Sequence, residues 1–483
     1  MILALDLGST SWKAALYTAE GRCAGLSRIP TPTGPEGAYA CFPRDGLQES
    51  LRQLLSGLPG LSDATAVALT GMAESGGFVS RKTGAMLTSI RPWYDGRSME
   101  VFDRLRNSPA FAERSRQTGL PMSYKYGVFK LLDMAAGLSE PIGDVCFLGV
   151  VEQTALLLTG RMATDETLAA RTLAFSLPQR CWDRSFLAAL GLPETVLPPI
   201  AAPGMPMGET LPGVMGLPGG IPVCIAGHDH VCAAFGADVL TRGGVMVSMG
   251  TAQVMLCEKK TYAPEDALSG LSYGPSPTGR YTCLGSIQSA GASVNCWKNL
   301  LFPGEDYASF MAEAAAVSRP TGMVYLPYLS GSGAPHLEPH ACAALAGLRA
   351  DATRGALAAA IYEGLAMETR CVLEAMGNLI CRGIHLRDNV DAQLLLDQGA
   401  GQVGIGVKAV IRIHVTDVNR VSLSQGGRKR RQQETENQEQ GSKLLHLGIS
   451  LPISVYCEAP WAQRHPLTEP STMPETRKRC RNG

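Results

Sequence analysis

The residues best suited to chemistry lie in Gly227-His228-Asp229-His230. The apolar run Gly220 to Ala226 leads into this stretch, and the small-residue run Val231 to Gly236 follows it. The pattern predicts a buried strand that hands over to a helix at Asp229. Backbone N–H groups are unpaired at such a junction, and a side chain there can reach a cleft. Asp229 therefore reads either as a helix N-cap or as a site carboxylate flanked by two histidines. A zinc reading is weaker. His228 and His230 would point alike in extended chain, but no companion Cys/His pair stands at ligand spacing.

Other stretches carry chemistry less directly. Residues 2–7 read as a buried strand ending near Asp6, residues 8–11 as a hydroxyl-rich turn, and residues 12–17 as a returning strand. Amides and hydroxyls in such a turn can hold phosphate oxygens, and the carboxylate can hold hydrated Mg²⁺. An ordinary hairpin is the alternative. Residues 243–256 repeat the pattern, with Gly250-Thr251 in the turn. Two such hairpins, each opening one half of the chain, suggest a duplicated domain with a nucleotide between the halves. Residues 65–71 form another predicted buried strand. It delivers Glu74 to a sheet edge, and Trp93 and Asp95 follow. Carboxylates for hydroxyls and an aromatic face for C–H groups are how sugars are held. The competing reading puts Trp93 in the core and pairs Asp95 with Arg97, and for Arg97 that reading is preferred.

The elements that must position these residues follow from the same patterns. Residues 98–200 read as mainly helical, with a helix over 150–160 ending at a glycine. Residues 198–222, rich in Pro and Gly, read as a surface connection. Residues 351–376 form the clearest helix, capped by Asp351 or Thr353. Gly364 inside it points to close packing or a nearby ligand. The chain's 483 residues allow two or more domains. Lys+Arg and Asp+Glu both number 43, which gives no reason to expect nucleic acid or membrane as a partner. The 14 cysteines lack CxxC pairs, and the start shows no basic n-region. They read as reduced thiols of a cytoplasmic protein without a signal peptide.

Several of these motifs, in order, carry a family resemblance. They are Asp6-Leu7-Gly8-Ser9-Thr10-Ser11 with Lys13, Trp93-Tyr94-Asp95-Gly96-Arg97, Thr118-Gly119-Leu120-Pro121, Gly227-His228-Asp229, Gly250-Thr251, and Tyr328-Leu329-Ser330-Gly331 through Glu363-Gly364. Together they resemble the FGGY carbohydrate kinases, from residue 1 to about 377. The resemblance implies an α/β fold of two actin-like (ribonuclease H-like) domains around a central cleft, divided as 1–238 and 239–483. It implies ATP with Mg²⁺, a small sugar or polyol as partner, and allows a homodimer. Asp229 matches the family's catalytic base, and Asp6 the position that helps hold the metal. Ser9-Thr10 and Gly250-Thr251 match the two phosphate-binding turns. Glu74, Trp93, Asp95 and His228 fall in sugar-contacting segments. Lys125 falls where glycerol kinases place a substrate-contacting Tyr, without a gap from Thr118 to Lys130.

The chain also departs from the family. Xylulokinases have Gln-Met-His-Gly, and glycerol kinases Gln-Arg-Glu-Thr, where this chain has Met72-Ala73-Glu74-Ser75. Neither substrate can be copied across. After Gly377 the resemblance implies a glycine-rich adenosine turn, for which Gly399 and Gly401 lie at about the right distance. The Leu-Gly-Ala-Ala helix that should follow is replaced by the polar run Gln425 to Glu434. Composition and pattern change together there, which reads as a reading frame disturbed after about residue 377; an unshifted frame in the source DNA would refute this. Two functions follow as expectations: an ATP-dependent sugar or polyol kinase, or a non-catalytic sugar- or nucleotide-binding relative inactivated by its tail.

Overall fold

The computed structural model describes residues 1–377, Pro203 excepted, and the backbone of Gln393–Leu394 and Ala409–Ile413. Two six-stranded sheets organise it. The first contains β1 (Ile2–Leu7), β2 (Ser11–Tyr17), β3 (Cys23–Pro30), β4 (Ala66–Gly71), β5 (Gly208–Glu209) and β6 (Pro222–His228), in the order β5-β6-β4-β1-β2-β3. β1 pairs antiparallel with β2 and parallel with β4, and β4 pairs parallel with β6. The carboxyl ends of β1, β4 and β6 therefore lie side by side. In an open α/β sheet that is where a ligand cleft forms.

Alternation along β1 explains its place. Leu3, Leu5 and Leu7 are buried, while Ala4 and Asp6 face the less enclosed side. The leucines pack with Trp12, with Leu47, Leu51 and Leu54 of helix α1 (Leu47–Ser56), and with Val150 and Val151 of helix α2 (Val150–Thr159). Each such side chain contributes about 1.5–3 kcal/mol on burial. Gly71 ends β4 because a Cβ there would stand 2.7 Å from the Leu7 carbonyl oxygen. Residues 198–222 do more than connect. They supply the edge strand β5, and they bury Met207 and Leu217 against the core.

The second sheet contains β7 (Val245–Met249), β8 (Gln253–Lys259), β9 (Ser272–Pro275), β10 (Tyr281–Ile287), β11 (Gln393–Leu394) and β12 (Ala409–Ile413), in the order β9-β10-β8-β7-β12-β11. Its antiparallel run β7-β8-β10 repeats β1-β2-β3. The repeat ends there, because β7 meets β12 antiparallel where β1 meets β4 parallel. Helix α4 (Ala290–Leu301) and the 22-residue helix α5 (Arg354–Ala375) belong to this half. Thr353 caps α5 by accepting the Ala356 N–H. Gly364 reflects close packing, since a Cβ there would lie 2.3 Å from the Tyr325 carbonyl oxygen. One apolar core runs from Phe129 through Tyr273 to Val372 and joins the halves. The Tyr273 N–H donates to the Gly119 carbonyl at 2.7 Å across that junction.

Candidate active site

Asp229 sits at the carboxyl end of β6 as the first residue of helix α3 (Asp229–Gly236). The strand is re-aimed just before it by a bulge between Ile225 and Gly227. Gly227 adopts φ +118°, and a Cβ there would stand 2.3 Å from Thr167 Oγ1. Thr70 Oγ1 donates to the Gly227 carbonyl, and the His228 N–H donates to Thr167 Oγ1, both at 2.8 Å. Thr167 Oγ1 in turn donates to Asp165 Oδ2 at 2.8 Å. These bonds leave the bulge little freedom.

Asp229 Oδ1 accepts the His230 N–H at 2.7 Å and lies 3.2 Å from His228 Nε2, with 20% of the side chain still exposed. The carboxylate heads the helix and accepts the amide one residue on. His228, not Asp229, occupies the N-cap position. Burial is the largest effect on His228 and outweighs Asp229, so the imidazole falls to about 4 and is neutral near pH 7. Ligand atoms of His228, Asp229 and His230 lie within 4.8 Å of one another, and no fourth Cys, His, Asp or Glu joins them among the described residues. That is short of a structural zinc set.

The facing wall is built on Glu74 and Arg171. Arg171 Nε and Nη2 donate to Glu74 Oε1 at 2.9 and 2.5 Å, and both side chains are only 10% exposed. Burial alone would push Glu74 up. Arg171 and Lys125, joined by His228 where that imidazole is protonated below about pH 4, outweigh it and hold the carboxyl at about 2. Glu74 adopts φ +56°, a left-handed conformation that costs a non-glycine residue about 1–2 kcal/mol. Both Arg171 bonds fall on Oε1, and Oε2 accepts none among the described residues, so it retains capacity for a hydroxyl. Tyr126 lies beneath the wall, with the Arg171 guanidinium 5.3 Å and the Lys125 ammonium 5.8 Å from its ring centroid.

Trp93 is 40% exposed and meets Tyr94 edge-on at 5.3 Å, so it is not a core residue. Asp95 departs from its expected role. Its side chain is wholly buried, and both oxygens are bound by Arg97, whose Nη2 lies 2.6 Å from Oδ2. Arg97 also bonds Glu36 at 2.7 Å. Asp95 thus anchors a loop and has no carboxylate edge to offer a sugar.

The two hairpins differ in their engagement. Asp6 Oδ2 pairs with Lys13 Nζ at 2.9 Å, while Asp6 Oδ1 is buried without a partner. Gly8 and Thr10 give their carbonyls to Thr31, leaving Thr10 exposed and Ser9 half-buried at the turn. Gly250 and Thr251 are exposed, and their carbonyls accept the Gly291 and Ala292 N–H groups of α4, both at 3.1 Å. Gly399 and Gly401 lie outside the described residues. Arg171 and Thr167 were not anticipated from the sequence. The one available signal was indirect: a buried Glu74 requires a cation.

Comparison with known proteins gives the family. Residues 1–236 match the N-terminal domain, and residues 245–398 the C-terminal domain, of the FGGY family of carbohydrate kinases. A glycerol kinase of Thermus brockianus is 31% identical over 448 residues, covering 86% of this chain and 87% of that one. The chain belongs to the FGGY family of carbohydrate kinases. A glycerol kinase of Oleidesulfovibrio alaskensis is 29% identical, covering 78% of each chain. Among solved structures, xylulose kinase from Rhodospirillum rubrum superposes with TM-score 0.69 at 25% identity, covering 78% of this chain and 79% of that one. Plasmodium falciparum glycerol kinase with ADP superposes with TM-score 0.70 at 21% identity, covering 78% of each. As an FGGY kinase, the chain is a phosphotransferase acting on an alcohol group.

Behind the kinase's Glu74 wall lies a cavity of about 30 Å³, lined in part by Ser75, Glu152 and Thr164. Thr164 Oγ1 donates to Glu152 Oε1 at 2.7 Å. Burial, opposed by that bond, raises Glu152 from 4.5 to about 7. The folded protein therefore keeps a proton that the unfolded chain releases above pH 4.5. Stability should fall as pH rises from 4.5 to 7, by about 3 kcal/mol. Glu152→Gln keeps the acceptor oxygen and removes the titration. We expect it to flatten this slope and stabilise the protein at pH 8, as read by urea denaturation at pH 5 and pH 8. Parallel pH profiles for the two proteins would count against a protonated Glu152.

Proposed function

We propose that this FGGY kinase transfers the γ-phosphoryl group of ATP to a hydroxyl of a small sugar or polyol, with Asp229 as general base. The observation that carries the reading is the Asp229 carboxylate. It is held at a strand–helix junction, reaches solvent and is flanked by a neutral imidazole. A carboxylate is ionised near neutral pH, and phosphoryl transfer depends mostly on positioning and charge neutralisation, so a weak but well-aimed base suffices. Glu74 Oε2 and the exposed Trp93 face are suited to hold the acceptor. The turns at Ser9-Thr10 and Gly250-Thr251 are suited to hold phosphate oxygens.

Mg²⁺ fits the residues present. The orphaned Asp6 Oδ1 is an acceptor that a metal-bound water would satisfy, and Asp6 is the residue that would hold the ion. When bound, Mg²⁺ supplies neutralisation of phosphate charge. We place the enzyme in the cytoplasm, where ATP is available and where the described cysteines, all free thiols, would stay reduced. No helix among the described residues is long and apolar enough to cross a membrane.

A coupled ADP-release assay over pentoses, hexoses, ketoses and polyols tests the reading. Turnover with any of them supports it, and acceptor binding without turnover would overturn it. Trp93→Ala is expected to raise the acceptor KM by about 5–30-fold, the loss of about 1–2 kcal/mol of ring contact, with little change in the ATP KM. Equal effects on both would mean that the ring only supports the fold.

A further inference from the structure

The acceptor wall carries more positive charge than its own carboxylates balance. Three cations, Lys125, Lys130 and Arg171, share one electrostatic neighbourhood with two carboxylates, Glu74 and Asp229. Asp95, the other nearby carboxylate, is bound by Arg97. Glu74 is committed to Arg171. Lys130 is fully buried, and its Nζ donates to the Lys125 carbonyl at 2.5 Å, which fixes the backbone that presents Lys125. The Lys125 ammonium, only partly exposed, has no carboxylate partner and makes no hydrogen bond among the described residues; it lies over the Tyr126 ring. Taking an ammonium out of water without a counter-charge is costly, and an ammonium held this way attracts an anion.

We infer that the acceptor is a sugar acid or polyol acid, whose carboxylate pairs with Lys125 while one of its hydroxyls lies at Asp229. This inference rests on the kinase reading of Asp229. An incoming carboxylate would complete the charge balance of the wall and form a charge-assisted hydrogen bond with Lys125, which is partly exposed and lacks a carboxylate partner, whereas Lys130 is fully buried and spent on the Lys125 carbonyl. Burial, opposed by Glu74 and reinforced by Arg171, depresses the Lys125 ammonium, as expected for a cation whose counter-charge arrives with the ligand. The neighbouring Glu74 Oε2 would accept a hydroxyl and disfavour a second acidic group.

Matched pairs test this with the full chain: gluconate against glucitol, ribonate against ribitol, and glycerate against glycerol. Each pair is assayed for kcat/KM by ADP release and, without nucleotide, for binding by calorimetry. The acid of at least one pair should be favoured by about tenfold or more. Lys125→Gln should remove that preference, lowering kcat/KM for the acid far more than for its neutral partner, while Lys125→Arg should restore part of it. Lys125 is partly exposed, so the variants should fold, and circular dichroism checks that. Neutral acceptors equal to or better than their acids in every pair would overturn the inference, as would binding of neither. A Lys125→Gln variant that loses kcat equally with acid and neutral acceptors would place Lys125 on the phosphoryl group and also overturn it. Acid-selective, Lys125-dependent binding without any turnover would support the inference while sinking the kinase reading.

Discussion

Asp229→Asn should lose turnover by about 10²–10⁴-fold while acceptor binding stays close to normal. The asparagine keeps the shape of the side chain. Its carbonyl oxygen can still accept the His230 N–H, which bonds Asp229 Oδ1 at 2.7 Å, so the start of α3 should be undisturbed. What disappears is the ability to take a proton from the attacking hydroxyl. His228 cannot replace it, because burial holds that imidazole mostly desolvated, and removing Asp229 takes away a carboxylate that favours its protonation. The two proteins should be compared by ADP release and by calorimetric titration with the best acceptor of the panel. Near-normal turnover in the variant would reduce Asp229 to a carboxylate that merely complements a helix N-terminus. Loss of acceptor binding in parallel with turnover would make it a binding group.

The parts of this site that were legible in the sequence are those built from neighbouring residues. The hairpin β1-β2 showed as an apolar run, a hydroxyl-rich turn and a second run, and Asp6 lies opposite Lys13 across it. The handover at Asp229 showed because a β-rich run met a small-residue run. The cap at Thr353 was one of two local candidates, with Asp351, and Gly364 pointed to close packing or a ligand without naming Tyr325 as the neighbour. The parts that were not legible depend on residues far apart in the chain. Arg171 meets Glu74 across 97 positions, and Thr167 meets the His228 amide across 61. No periodicity encodes such a meeting. The bulge before Gly227 was hidden for a similar reason, since it depends on the register of β6 against β4.

Asp95 shows how a local signal can mislead when two local readings compete. A carboxylate beside an aromatic pair suggests sugar binding, yet Arg97 lies two residues on and binds both oxygens. The shorter reach won, because the fork of Arg97 forms without any ligand. Apart from the backbone of β11 and β12, the residues on which the expectation of a disturbed frame falls lie outside those described. The antiparallel pairs β7-β12 and β12-β11, where the first sheet has the parallel pairs β1-β4 and β4-β6, mark where the two sheets depart from each other in topology.

Arg171→Met should destabilise the protein by about 3–5 kcal/mol near pH 7, because it strips the partner from a buried carboxylate. Glu74 and Arg171 are each only 10% exposed, and the methionine fills much of the space while leaving the charge. Lys125 and His228 remain beside Glu74. His228 is neutral, and Lys125 makes no ion pair with Glu74, so neither replaces the fork. The double variant Glu74→Gln with Arg171→Met removes the charge as well and should recover most of the loss. The pH dependence fixes the sign. In the parent protein Glu74 is held at about 2 against an ordinary 4.5, so its contribution is fully present above pH 4.5 and is lost as pH falls toward 2. Without Arg171 burial dominates, Glu74 moves above 4.5, and protonation relieves the variant as pH falls. The gap between the two proteins should therefore narrow from pH 7 to pH 4. Urea denaturation at both values measures it. A gap of the same size at pH 4 would mean that Arg171 acts through packing over Tyr126, with no electrostatic hold on Glu74.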